Sequence, residues 1–212
     1  MRLPLAAALL GAAFILAPSA SAQGGPALRT AVGTPFPYRI DLPRECEIVR
    51  GRQTVSDREV HSLTAGSEDL AVVVQTVDLM EGDAQRAPGI SDAQMRRIMT
   101  DMVVSSDSLL YGIMQSISAV MGKSGEIRDP AWEIRTLAGQ RAAYLTGRIE
   151  SDGILLRFEM HLTVRDGIMY ALMTMAPDKR YASREPLFAR IRESLVLDRV
   201  SAPAPTGLQT TR

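Results

Sequence analysis

Between Gly139 and Ala176 apolar and polar residues alternate through successive runs separated by two Asp-Gly pairs, Asp152-Gly153 and Asp166-Gly167. An Asp-Gly pair accepts the positive φ angles of a tight hairpin turn, so a three-stranded meander is expected here. In the first strand Ala143, Leu145 and Ile149 share one face; in the second Leu156, Phe158, Met160, Leu162 and Val164 do. A two-residue turn then sets Ile149 opposite Leu156, Gly147 opposite Phe158 and Leu145 opposite Met160. Across the next turn Val164 meets Met169, Leu162 meets Ala171, Met160 meets Met173 and Phe158 meets Met175. A slip of one residue would put the polar set into the core, which favours this register. Phe158 is expected to cover the bare backbone at Gly147. The third strand, 168–176, is apolar on both faces and must be covered on both.

The same register gathers a polar group on the opposite face. Tyr144 stands opposite His161, Thr146 opposite Glu159 and Arg148 opposite Arg157, with Thr174 beside Glu159 and Leu172 beside His161. Two facing arginines repel unless Glu150, Glu159 or an anionic ligand sits between them.

Upstream, Phe36, Tyr38, Ile40 and Leu42 alternate as a strand closed by Pro43. Residues 46–55 and 58–63 are expected as shorter strands. Residues 70–79 are apolar on both sides, as in a central strand. Ser91-Asp92 forms a helix start. Met95, Ile98, Met99, Met102, Leu109, Leu110, Ile113, Met114, Ile117, Val120 and Met121 follow mostly at three- and four-residue spacings, one apolar helical stripe with a lapse at 105–107. A last helix is expected from about Arg184 to Leu195, with Ser183 as its cap. Strands, long helix, strands, helix is the order of an α+β fold with a mostly antiparallel sheet.

The ends read differently. Arg2, the apolar run 5–16 and Ala20-Ser21-Ala22 make residues 1–22 a signal peptide too short to span a membrane. Residues 23–35, rich in Gly, Pro and Ala, are expected as a linker, 36–199 as one domain and 200–212 as a disordered tail. No transmembrane segment is expected once the signal is removed, and the expected location is periplasmic or secreted. Without Arg2 the chain carries 23 of its 24 basic residues against 24 acidic ones, with no basic stripe, which argues against nucleic-acid binding.

Candidate chemistry is sparse. A Glu159-His161-Tyr144 group could do acid–base work, since a carboxylate orients an imidazole. A sheet face with an Arg-Glu ion pair is the plainer reading. His61 and His161 lie on separate strands with no metal-ligand spacing, and the methionines read as core filler rather than a copper site. Cys46, the only cysteine, reads as buried and inert. Trp132 reads as a core or edge anchor. There is no nucleophile elbow, phosphate loop or zinc motif, and no cofactor is expected.

The strand Phe36-Pro-Tyr-Arg-Ile-Asp-Leu-Pro43, the long helix, Leu137-Ala-Gly-Gln-Arg-Ala-Ala-Tyr144 entering the hairpins, Met175-Ala-Pro-Asp178 and the closing Ile191-Arg-Glu-Ser-Leu195 together resemble the PsbP/DcrB-like superfamily. That resemblance implies an α/β/α sandwich over about 36–197 and non-enzymatic accessory or adaptor roles, with no catalytic residues to carry over. The expected function is an exported accessory protein that binds an envelope protein partner or a small ligand. Tyr144, Thr146, Arg148, Arg157, Glu159 and His161 are its candidate surface. A small periplasmic hydrolase using Glu159 and His161, and a carrier of an apolar ligand, are the alternatives.

Overall fold

The computed structural model describes residues 26–55, 58–79, 93, 127–151 and 153–198. Among them are β1 (Leu28–Val32), β2 (Tyr38–Pro43), β3 (Glu47–Val55), β4 (Arg58–Ser67) and β5 (Leu70–Asp78). After these come β6 (Ile127–Leu137), β7 (Gln140–Ser151), β8 (Ile154–Arg165), β9 (Ile168–Pro177), α1 (Asp178–Ser194) and β10 (Val196–Leu197). The expected signal peptide, the 92–121 helix and the 200–212 tail lie outside the described residues, apart from a single helical position, Ala93.

Seven strands form one antiparallel sheet in the order β3-β4-β5-β9-β8-β7-β6, and β1, β2 and β10 form a small second sheet. The α+β, mostly antiparallel class is as expected. So is the meander register: Ile149 pairs with Leu156, Gly147 with Phe158, Leu145 with Met160, Val164 with Met169 and Phe158 with Met175. Asp166 and Gly167 have φ of 50° and 74°, the two left-handed residues of a hairpin turn. A β-carbon at Gly147 would meet Phe158 and Ile127 at 3.0 Å, so the phenylalanine does close over that bare backbone. The two strands read as apolar on both faces, β5 and β9, are adjacent in the middle of the sheet.

Each sheet face has its own core. On one, Val60, Val73, Val77, Ile149, Phe158, Met160, Leu162 and Met173 are buried together. On the other, Ile40 and Leu42 of the small sheet join Leu63, Val72, Val74 and Leu172, with Tyr181, Leu187, Phe188 and Ile191 from α1. Helix α1 is tied to β2 where the Asp41 amide donates to Ser194 Oγ at 2.8 Å, and to the β4–β5 turn where Arg184 pairs with Asp69.

Three expectations are corrected, and strand β6 adds to them. The stretch read as a linker contains β1, which pairs antiparallel with β2 and buries Ala31; its composition hides a partner beyond the intervening loop. Strand 58–63 extends to Ser67, because β3 pairs with β4 from Arg58 to Gly66 and β5 from Val60 to Ser67. Strand β6 had no counterpart in the sequence reading. It is a sheet edge with six consecutive exposed residues from Arg128 to Glu133, so no alternation betrays it. Helix α1 begins at Asp178, not near Arg184, and Ser183 is no cap: its hydroxyl donates to the Arg180 carbonyl at 2.7 Å, inside the helix. Pro186, a residue at home in a first turn, lies mid-helix on the exposed side, where water can serve the carbonyl it leaves unpaired.

Candidate functional site

Alternation along β7 and β8 places Tyr144, Thr146, Arg148, Arg157, Glu159 and His161 on one sheet face, and the register brings them together in the expected pairs. Thr174 of β9 stands beside Glu159, and Leu172 beside His161. What covers this face was not legible in the sequence. Helix α1 lies over it, leaving Glu159 only 6% and His161 only 3% exposed.

Burial of these polar groups is matched by partners from α1 and from the edge strand. Arg192 of α1 donates from Nη1 to Glu159 Oε2 at 3.1 Å. A buried carboxylate costs several kcal/mol to desolvate, so such a pair forms only where the counter-charge is well placed. The Tyr181 and Tyr144 hydroxyls are both held above their ordinary range, first by burial and then by the Glu159 charge. Tyr144 is sandwiched: the His161 ring lies 4.8 Å from it centroid to centroid, and the Arg135 guanidinium of β6 sits 3.5 Å over its face. His161 is lowered to about 3, by burial first and then by Arg192 and Arg135. It is therefore a neutral imidazole across the physiological range.

The rim resolves the expected arginine conflict without an intervening acid. Arg148 turns to Asp129 of β6 at 2.9 Å and to Asp178 of α1 at 3.2 Å. Arg157 lies 4.7 Å over the Tyr181 ring. Glu150, a candidate for bridging them, instead pairs with Arg128 at 2.8 Å, and Glu159 goes to Arg192. Thr146 donates to the Phe158 carbonyl at 3.0 Å. The missed residues are thus Asp129, Arg135, Asp178, Tyr181 and Arg192. Helix periodicity could have set Tyr181, Phe188 and Arg192 on one side of α1, but not which strand they meet.

Elsewhere, Cys46 is buried and free, and burial with the nearby Glu45 charge pushes its thiol up to about 11. His61 pairs with Glu59 at 2.5 Å and meets the Phe36 ring edge-on. Among the described residues no three His, Cys, Asp or Glu side chains converge on a metal position. A cleft of about 60 Å³ lies apart from the polar group, lined by Tyr38, Arg50, His61 and Thr76. It can hold a few waters but is far smaller than the ~300 Å³ of an ordinary small-molecule pocket. No described helix is long and apolar enough to cross a membrane.

No protein-family model matches the chain, and no curated protein matches it in sequence. Solved structures do match. The cyanobacterial PsbP (CyanoP) of Synechocystis sp. PCC 6803 superposes with a TM-score of 0.53 at 14% identity, over 85% of this chain and 98% of that one. LpqN of Mycobacterium tuberculosis, described as involved in cell envelope biogenesis, gives a TM-score of 0.41 at 12% identity, over 80% and 90%. The first of these shows that the chain has a PsbP-like fold, as the sequence resemblance implied. At such identities the likeness concerns fold alone.

Proposed function

We propose that this is an exported accessory protein that works by binding a protein of the cell envelope rather than by turning over a substrate. The observation that carries the reading is the fate of the polar group. Of the side chains suited to acid–base chemistry, Glu159 and His161 lie under α1, Glu159 ion-paired to Arg192, and Tyr144 is buried against His161 and Arg135. A general base must come within hydrogen-bond reach of a substrate proton, and α1 occupies the space from which a substrate would approach. The accessible part of the group is its rim. Arg157 is exposed there, and Arg148 is half-buried between two carboxylates. Alternating charge of this kind favours the orientation and selectivity of a protein contact.

Immobilised protein should retain one defined component of a solubilised envelope fraction. An Arg148→Gln/Arg157→Gln double variant, which keeps an amide donor toward Asp129 and Asp178 and whose fold circular dichroism shows to be intact, should lose it. Recovery of nothing by the unaltered protein would count heavily against the proposal. A hydrolase reading stands only if Glu159→Gln and His161→Ala abolish an activity while leaving this retention intact.

A further inference from the structure

Strand β6 is the last strand of the seven-stranded sheet, and among the described residues nothing pairs with its outer side. An open edge is a template for another strand. Which of its amides face outward follows from the turn to β7. Ala138 and Gly139, with φ of 48° and 73°, form a two-residue turn that closes on the Leu137–Gln140 pair. Such a turn closes on a hydrogen-bonded pair, and antiparallel pairs alternate between bonded and non-bonded. Leu137, Arg135 and Glu133 therefore spend their main-chain groups on β7, and Thr136, Ile134 and Trp132 turn theirs outward.

We propose that β6 is a self-recognition edge. Two copies of this chain join antiparallel along residues 131–137 about a twofold axis at Ile134, running one sheet through both molecules. In that register Ile134 meets its own copy, and Trp132 meets Thr136 of the partner subunit. These are three hydrogen-bonded pairs made of the outward-facing residues. Between them Glu133 faces the partner's Arg135, and Arg135 the partner's Glu133, in the closely spaced non-bonded positions where opposite charges attract. Within one chain Glu133 and Arg135 are already side by side and ion-paired, so the joined edge carries four alternating charges.

Neighbouring registers are worse. A twofold axis at Glu133 or at Arg135 sets like charges face to face. An axis at Trp132 brings Ile134 against Pro130, which has no amide to donate. Pro130 and the irregularity between Arg128 and Ala131 also bound the usable edge on its upstream side. Trp132, 47% exposed in one copy, is covered across the joined edge beside the partner's Ile134.

Cysteine trapping reads the register directly. Paired α-carbons in a hydrogen-bonded antiparallel pair lie about 5.5 Å apart, within disulfide range. Under mild oxidation Ile134→Cys should yield a covalent dimer. Trp132→Cys and Thr136→Cys should each stay monomeric alone and cross-link when mixed. Native Cys46 is buried and does not compete. In sedimentation equilibrium the unaltered protein should self-associate with rising concentration. Glu133→Arg should weaken that association roughly tenfold by turning two attractions into repulsions, and mixing it with Arg135→Glu should restore association as a heterodimer. A protein that stays monomeric at every concentration overturns the proposal. So does an Ile134→Cys chain that cross-links no faster than Trp132→Cys alone. The envelope-partner reading stands or falls separately, since its variants lie at Arg148 and Arg157.

Discussion

On one side of β8, Phe158, Met160, Leu162 and Val164 are buried among other apolar strand residues; on the other, Glu159 and His161 are buried nearly as completely beneath α1. The two faces are held by different physics. The apolar face gains about 1.5–3 kcal/mol per buried side chain and tolerates many packings, because that gain has no direction. The polar face gains little net energy, since each group must be stripped of water, but it accepts only an overlay that returns every partner. Arg192 must meet Glu159, Asp178 must meet Arg148, and Tyr181 must lie beneath Arg157. Over β8 one face supplies adhesion alone; on the other, apolar residues of α1 also pack against Leu172, and the polar partners decide where the helix docks.

Removing a side chain from the apolar face should have the largest effect. Phe158→Ala, at a fully buried site that also covers Gly147, should cost about 3–5 kcal/mol in urea denaturation. A loss under about 1 kcal/mol would show that this face is not the adhesive one.

Acid should act on the polar face through His161. His161 folds with its pKa lowered from 6.5 to about 3, so the unfolded chain takes up the proton first. Its contribution to stability is complete above about pH 6.5 and is lost as pH falls toward 3. At pH 4 the loss should be roughly 3 kcal/mol. His161→Gln should remove that component of the pH dependence, read as the difference between denaturation curves at pH 7 and pH 4. An unchanged pH profile in the variant would mean that the imidazole is not held neutral.

The smallest effect tests direction rather than adhesion. Arg192→Met leaves the Glu159 carboxylate buried without its counter-charge and should cost about 2 kcal/mol, below the range for fully buried pairs because Arg192 is partly open to water. Adding Glu159→Gln should restore about half of that. Additive losses in the double variant would mean that the two residues do not act as a pair.

Legibility in the sequence followed the range of the information. The register of β7, β8 and β9 was readable because two-residue Asp-Gly turns admit only one pairing that keeps Phe158 and Met160 inside. The polar partners were readable for the same reason. Their cover was not, because alternation says that Glu159 and His161 share a face but not that Tyr181 and Arg192 will lie upon it. Strand β1 escaped because its partner β2 and its inward Ala31 are visible only in space. Strand β6 escaped because Arg128 to Glu133 are exposed whichever face they take. The true start of α1 was masked by Ser183 and Pro186, which imitate a first turn six residues late.

The order of the large sheet carries a consequence for how the chain finds this structure. Strands β3-β4-β5 and β6-β7-β8-β9 are each a run of hairpins whose contacts are close in sequence and cheap to form. They meet along a single seam, β5 against β9, where Ala71 pairs with Met175 and Asp78 with Ile168. Closing a loop of that length is the large entropic step, and the loss of freedom comes before any seam contact rewards it. Each half can explore its own register quickly, and the two become one sheet when Val72, Val74 and Thr174 come side by side.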